Sequence, residues 1–168
     1  QGNQPTFDVP SEMHRILGVD LTAIPGLSAQ AVLTFFCDVG PQITRFPSSK
    51  HFASWLGLCP DNRISGGKIL SSKTRNVRCR LANALRMAAT TLYRSHSALG
   101  DYFRRLRARL GSPAAITAAA HKLARILFAM LRDRRSFDPQ LLGTLNEKHL
   151  RRRQNSLRKY AASLGFEL

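Results

Sequence analysis

Apolar residues recur every three or four positions along most of this chain, and this period is the strongest constraint on its fold. Such spacing places the apolar side chains on one face of an amphipathic helix. Serine or proline at the start of a segment and glycine at its end mark the helix limits. The longest segments cover residues 28–40, 73–95, 97–110 and 112–132. With two shorter ones, they predict an all-α, mainly helical fold of four to six helices.

The two shorter helices are predicted from the same signals. Ser11 would be the N-cap of a helix that runs from Glu12 to about Leu17. The second would begin after Ser48 or Ser49 and end at Gly57. In that helix we expect three side chains to face the same way, those of Phe52, Trp55 and Leu56.

The stretch IPGLS contains a tight turn at Pro25-Gly26, followed by Ser28 as a helix N-cap. It resembles the second half of a helix-hairpin-helix motif, in which backbone N–H groups at a helix start bind a phosphate. The usual motif has a second glycine where this chain has Ser28. A plain junction between core helices is the alternative interpretation. We therefore describe the start of residues 19–138 as helix-hairpin-helix-like and leave both interpretations open.

Residues 63–70, with the sequence RIS-GG-KIL, depart from the helical period. Two short alternating runs on either side of Gly66-Gly67 predict a small β-hairpin with a two-residue turn. Ser65 would lie beside this open turn. Helical spacing resumes at about Lys73, which predicts Ser71 and Ser72 as capping residues and places Lys73 and Arg75 in the first helical turn.

The charge of the chain favours a polyanionic partner. Lys and Arg number 26 against 10 Asp and Glu, which gives a net charge of +16. Nucleic acid is the predicted partner. An anionic membrane surface is the minor alternative, because the aromatic amphipathic stripe of a surface-bound helix is missing. No apolar run approaches the ~18 residues that would indicate a membrane span. From Asn62 to Gly100 the chain has no carboxylate but eight cations: Arg63, Lys68, Lys73, Arg75, Arg78, Arg80, Arg86 and Arg94.

Ser65 has the surroundings that a serine needs to attack a phosphodiester. Attack requires steric access, cations that stabilise the transition-state charge, and a route for the serine proton. Gly66 and Gly67 supply the access. The predicted nucleic-acid-binding residues are Arg63, Gly66, Gly67, Lys68, Lys73, Arg75, Arg78 and Arg80. A solvated or merely phosphate-binding turn is the alternative that spacing alone leaves open.

The remaining polar residues predict neither a metal site nor a cofactor in this chain. The five histidines and three cysteines do not pair with one another or with an acid at ligand spacing. The carboxylates are scattered, and SGGK lacks the leading glycine of a nucleotide-binding loop. We therefore expect that this chain is not a self-sufficient metal nuclease.

Three motifs follow one another closely: RFPS at 45–48, SWLGLCP at 54–60 and SGGK at 65–68. In this order they closely resemble the C-terminal domain of the insertion-sequence one-ten family of transposases, recombinases guided by a bridge RNA. The resemblance runs from about Val19 to Asp138. It implies that Ser65 becomes covalently joined to DNA in a bacterial cytoplasm. It also implies a homo-oligomer with composite active sites and an N-terminal resolvase-like domain whose four acids hold Mg²⁺.

The chain is accordingly divided into a lead-in with a short helix at 1–18, a transposase C-terminal domain at 19–138 and a basic helical arm at 139–168. Within the arm, residues 146–164 are predicted to form a basic helix with a narrow apolar stripe, formed by Leu150, Leu157, Tyr160 and Leu164. Because the first residue is Gln1 and not Met, we expect a fragment or a processed chain. The resemblance, with its acidic domain missing here, implies that the chain is inactive by itself. The competing function is a non-catalytic DNA- or RNA-binding scaffold, which would form no covalent adduct.

Overall fold

The computed structural model of the protein describes residues 6–163 and residue 165. It is 65% helical, so the prediction of a mainly α fold is confirmed. Two compact units are present, Gln1–Phe137 and Asp138–Leu168. The α-helices of the described residues are α1 Val9–Leu17, α2 Ala29–Val39, α3 Ser49–Trp55, α4 Arg80–Thr91, α5 Ala98–Leu110, α6 Ser112–Asp133 and α7 Gln140–Ser163.

These seven helices exceed the predicted four to six, although five of them, α2 to α6, lie within residues 19–138. Short 3₁₀ turns occur at Leu21–Ala23, Ile43–Arg45 and Leu92–Arg94. One antiparallel pair of strands, β1 Arg63–Ser65 and β2 Lys68–Ser71, is the β-structure of the described residues. The predicted hairpin is therefore confirmed.

Helix α6 lies at the centre of the first unit and packs against α3, α4 and α5. Its buried small residues, Ala115, Ala119, Ala120 and Ala124, let the neighbouring helices approach closely. By length and composition alone α6 could cross a membrane, contrary to the expectation that no segment is long and apolar enough. Half of its most apolar stretch is buried inside the protein, where α6 packs against α3, α4 and α5.

Helix α1 begins at Val9, so the predicted N-cap at Ser11 is wrong. Asp8 occupies the cap position, and the Ser11 hydroxyl instead donates a hydrogen bond to the Asp8 carboxylate. Val9, Met13 and Leu17 are buried, so this short helix contributes to the core of the first unit. Three serines cap helices through hydrogen bonds from the backbone N–H three residues on: Ser28 for α2, Ser48 for α3 and Ser97 for α5.

The Pro25-Gly26 turn packs against α4. Gly26 has a φ of +91°, and a Cβ at this position would lie 2.8 Å from the carbonyl oxygen of Ala88. Glycine is needed here both for the backbone conformation and for the close approach. The contact gives the turn a structural role, in agreement with the junction interpretation. Phosphate binding by this turn stays a prediction.

Helix α4 begins at Arg80, seven residues later than the predicted start at Lys73. Residues 72–79, here called the basic segment, have a non-helical conformation. The segment pairs with the preceding loop through a β-bridge between Pro60 and Thr74 and a 3.0 Å hydrogen bond from the Asp61 N–H to the Lys73 carbonyl. Consequently Lys73 and Arg75 do not lie in a helical turn. Ser71 and Ser72 are not caps, since the N-cap position of α4 is Cys79.

Helix α7 belongs to the second unit and begins six residues before the predicted 146. The apolar stripe predicted for it is exposed at Leu150, Leu157 and Tyr160. Leu164, the fourth member, lies outside the described residues.

Candidate nucleic-acid interface

Ser65 ends β1 directly before the turn of the hairpin, and its register partner on β2 is Lys68. Gly66 and Gly67 have φ values of +54° and +74°, the combination that a two-residue turn of type I′ requires. A Cβ at either glycine would have no other atom within 4 Å. Ser65 is exposed. The hairpin therefore gives the Ser65 hydroxyl open space on the side of the turn.

The same hairpin exposes apolar side chains that the sequence reasoning did not single out. Ile64 and Ile69 are register partners, and both are more than 60% exposed, as is Leu70. A two-stranded ribbon has no core of its own. Large exposed apolar side chains of this kind are typical of a surface that contacts another molecule.

The basic segment is held against helix α3 and the turn that follows it. The guanidinium of Arg75 donates to the carbonyl oxygen and to the hydroxyl of Ser54, each at 3.0 Å. Gly57 leaves room for Val77, whose Cγ2 would lie 2.7 Å from a Cβ on the glycine. Gly57 also has a φ of +65°, so a larger residue is excluded by both conformation and space.

Asp38, near the end of α2, organises the start of α4. One carboxylate oxygen forms an ion pair with Arg80 at 2.6 Å, and the other accepts the backbone N–H of Leu81 at 3.1 Å. The Asp38 side chain is only 12% exposed, whereas that of Arg80 is 77% exposed. A carboxylate at this position accepts a hydrogen bond from an N–H of the first helical turn, and the positive end of the helix dipole stabilises its charge.

Two open grooves adjoin the basic segment. The first, here called the α4 groove, has a volume of about 540 Å³ and is lined by residues 74–80 with Asn83 and Arg86. The second, here called the Trp55 groove, has a volume of about 480 Å³ and is lined by Cys37, Asp38, Trp55 and residues 77–80. Residues 77–80 line both grooves. Arg78 and Arg80 therefore contribute positive charge to each of them.

The predicted site residues lie in two places. Arg63, Ser65, Gly66, Gly67 and Lys68 are on the hairpin, whereas Lys73, Arg75, Arg78 and Arg80 belong to the basic segment and the start of α4. Arg75 and Arg80 are hydrogen-bonded to protein atoms. Among the predicted nucleic-acid-binding residues, four cationic side chains make no hydrogen bond or ion pair with a described residue: Arg63, Lys68, Lys73 and Arg78.

Arg125 on α6 is a further cation that the sequence reasoning missed. Burial raises the pKa of the Cys59 thiol, and the positive charges of Arg75 and Arg125 oppose part of that rise. Both guanidinium groups are therefore close enough to Cys59 to act on it. Arg125 follows Arg75 by fifty positions, and no spacing in the sequence indicates that both act on the Cys59 thiol.

Trp55 was predicted to share one face with Phe52 and Leu56, but the three differ in exposure. Phe52 and Leu56 are fully buried, whereas Trp55 is 42% exposed at the wall of its groove. Its ring lies 5.4 Å from that of Phe46, and the guanidinium of Arg45 lies over it at 5.5 Å. Helical spacing could not distinguish a buried position from one at the edge of the core.

The residues described by the structure bring no three His, Cys, Asp or Glu side chains together in a way that would hold a metal ion. His121 on α6 is half-buried. Its pKa is lowered by burial and by the positive charges of Arg125 and Lys122. The resemblance implies Mg²⁺ at the acids of a separate resolvase-like domain, and no chemical step is assigned to a metal in the described part of this chain.

These features define a strongly basic, mainly helical domain with cation-lined grooves and an exposed hairpin that carries a serine. The sequence profile of the Transposase IS116/IS110/IS902 family matches residues 20–104, half of the chain. The protein therefore belongs to this family of transposases. The matched region includes the hairpin, the basic segment, both grooves and Trp55.

A curated relative is described as the insertion element IS110 uncharacterized 43.6 kDa protein of Streptomyces coelicolor. It is 34% identical to this chain over 118 residues, which are 67% of this chain. The match covers 28% of the relative. The chain thus corresponds to little more than a quarter of that protein's length.

Proposed function

We propose that this chain is the catalytic-serine domain of a DNA transposase and that Ser65 is its nucleophile. The observation that carries the proposal is the position of Ser65 at an open Gly-Gly turn, inside the region matched by the transposase family. An attacking oxygen must reach phosphorus along the line of the bond that breaks, so free space around it is a requirement.

The proposed reaction has two exchanges. In the first, the Ser65 Oγ loses its proton to a base and attacks a phosphodiester, a P–Oγ bond forms, and the bond from phosphorus to a deoxyribose oxygen breaks. That oxygen takes up a proton and leaves as a hydroxyl. In the second, the hydroxyl of another strand end attacks the phosphoserine and releases Ser65. Each exchange replaces one phosphodiester with another, so no nucleoside triphosphate is consumed.

The cations would bind DNA phosphates around this reaction. Arg63 and Lys68 flank Ser65 on the hairpin, and Lys73 and Arg78 continue the positive surface along the basic segment. These four side chains have no protein partner among the described residues, so their charges are available to phosphate. Arg75 and Arg80 are held by Ser54 and Asp38 and would bind in fixed positions.

The other parts of the machinery are proposed from the family resemblance. They are a resolvase-like domain that binds Mg²⁺ through acids, a guide RNA, and a homo-oligomer that combines acids and serine from different protomers. The described residues of this chain are compatible with that division of labour, because they supply cations and a serine. Composite assembly would explain why a domain with this charge acts together with an acidic one.

The test is covalent capture in a full-length family transposase that carries this domain, with guide RNA, Mg²⁺ and labelled DNA. The unmodified protein should give a protein–DNA adduct on a denaturing gel. Ser65→Ala should abolish the adduct and strand exchange and leave DNA binding in place. Because Ser65 is exposed, this change should alter the free energy of unfolding by no more than about 0.5 kcal/mol.

Ser71→Ala and Ser72→Ala are the matched controls, since both serines lie close to the hairpin and should retain chemistry. Ser71→Ala should cost about 1 kcal/mol at most, because the Ser71 hydroxyl accepts a hydrogen bond from the Lys73 N–H at 3.3 Å. An adduct that persists in Ser65→Ala and disappears in either control would show that the nucleophile is a different serine. DNA binding without any adduct in the unmodified protein would favour the non-catalytic scaffold.

A further inference from the structure

Trp55 places a large apolar ring at the surface beside two cations, Arg78 and Arg80. It lines the Trp55 groove together with Arg78 and Arg80, and 42% of its surface is exposed. Tryptophan is costly to leave in water, since its ring has the largest apolar area of any side chain. An exposed ring between cations is the combination found in surfaces that bind unpaired nucleotides.

The aromatic cluster behind Trp55 holds its ring in place. Phe52 is fully buried, and its ring is nearly parallel to the indole, with an interplanar angle of 16° and centroids 6.4 Å apart. Phe46 packs against both rings, at 5.1 Å from Phe52 and 5.4 Å from Trp55. A ring supported in this way loses little further conformational entropy when a ligand contacts it.

We propose that Trp55 contacts an unpaired nucleobase whose flanking phosphates are bound by Arg78 and Arg80. The proposal rests on the proposed function only in requiring a nucleic-acid partner, and it adds the form of that partner. In a duplex, each base is covered by its neighbours above and below. An indole at a groove wall can therefore reach the face of a base only where the strand is single or the base is flipped out.

The charges of the groove suit a strand of this kind. Arg78 makes no hydrogen bond or ion pair with the described residues, and the Arg80 side chain is 77% exposed although it is paired with Asp38. Among the described residues that line the groove, Asp38 is the only acid, and its side chain is 12% exposed. Phosphates would meet the exposed guanidinium groups, and the apolar base would meet the ring.

The chain has a single tryptophan, so its fluorescence reports on Trp55 alone. Four ligands of equal length should be titrated: a single-stranded DNA, an abasic DNA with the same number of phosphates, a duplex, and a single-stranded RNA of the same sequence. We expect the single strand to quench the fluorescence, and the abasic strand and the duplex to bind with little quenching. Comparison of the two single strands tells whether DNA or RNA supplies the base.

Trp55→Ala should weaken binding of the single strand by roughly 5- to 150-fold, the range measured for loss of one stacked base, and leave the abasic strand unaffected. Trp55→Phe should retain most of the affinity. Tyr93→Ala is the matched control, because Tyr93 is also exposed and lies under a guanidinium, that of Arg107 at 4.5 Å, but does not line the groove. It should bind like the unmodified protein.

Two results would overturn the inference: equal quenching by the abasic and the normal strand, or an equal loss of affinity for both in Trp55→Ala. The quenching experiment uses the unmodified protein, so it decides the question even if Trp55→Ala is unstable. Adduct formation by Ser65 is measured separately, and either idea can therefore fail while the other stands.

Discussion

Asp38 and Arg80, forty-two positions apart, are joined by an ion pair of 2.6 Å that connects the end of α2 to the start of α4. The same carboxylate accepts the N–H of Leu81. One side chain thereby fixes the helix start and the position of a cation that lines both grooves. It also places a negative charge where phosphate is expected to bind.

Asp38→Asn should therefore have opposite effects on stability and on binding. The amide oxygen can still accept the Leu81 N–H, but the charge-assisted bonds are lost, so the free energy of unfolding should fall by about 1–2 kcal/mol. Affinity for a DNA oligonucleotide should rise, because a negative charge leaves the groove. Urea unfolding and binding at fixed ionic strength measure the two effects.

Asp133→Asn, in an exposed ion pair with Arg132, is the control for Asp38→Asn. Weaker binding by a folded Asp38→Asn protein would mean that Asp38 chiefly orients Arg80 for the ligand.

Binding should depend steeply on salt. If about five cations of the hairpin and basic segment meet phosphates of a duplex, a plot of log affinity against log salt should have a slope of about −4.5. Replacing one contacting cation, for example by Lys73→Ala, should reduce the slope by about 0.9. Fluorescence anisotropy of a labelled duplex between low and moderate salt measures both values. Affinity that barely changes with salt would exclude this surface as the contact.

Deleting residues 140–168 should leave the first unit folded, because α7 belongs to a separate compact unit. Nucleic-acid binding or assembly should weaken, since the segment carries six basic residues between 148 and 159. Thermal unfolding followed by circular dichroism and binding at constant salt measure the two effects. Deleting residues 1–18 is the contrasting variant and should destabilise the protein, because Val9, Met13 and Leu17 are buried. If the chain that lacks residues 140–168 did not unfold cooperatively, those residues would be part of the core.

The stability of the protein should fall as the solution is acidified through the range in which His121 titrates. Its folded-state pKa lies below the ordinary 6.5 because of burial and the charges of Arg125 and Lys122. The unfolded chain therefore takes up the proton more readily, so unfolding is favoured as the pH falls below about 6.5. His121→Gln should reduce the loss of the urea midpoint between pH 7.5 and 5.5. An unchanged pH dependence in that variant would assign the effect to other groups.

Much of the local structure was predictable because its causes are local. Ser28, Ser48 and Ser97 cap their helices through a backbone N–H three residues on, and the Gly66-Gly67 turn needs only its own two residues to reverse the chain. The exposed setting of Ser65 follows from that turn.

The path of the basic segment was not predictable. Helical spacing already begins at Val77 and continues through Leu81 and Leu85. The sequence therefore contains no signal that the helix starts at Arg80 and not at Lys73. Contacts with other elements keep this segment in a non-helical conformation instead. Arg75 bonds to Ser54, twenty-one positions earlier, and Gly57 makes room for Val77.

The sequence by itself determined the mainly helical fold, the hairpin that presents Ser65 and the excess of positive charge, because each depends on composition or on residues a few positions apart. Only the tertiary structure decided where α4 begins, which cations share a groove and which side of α3 reaches the surface. The start of α4 depends on Asp38, forty-three positions before Leu81, and the exposure of Trp55 depends on where the core ends. Contacts over such separations form only when the helices pack, and helical spacing within one segment carries no record of them.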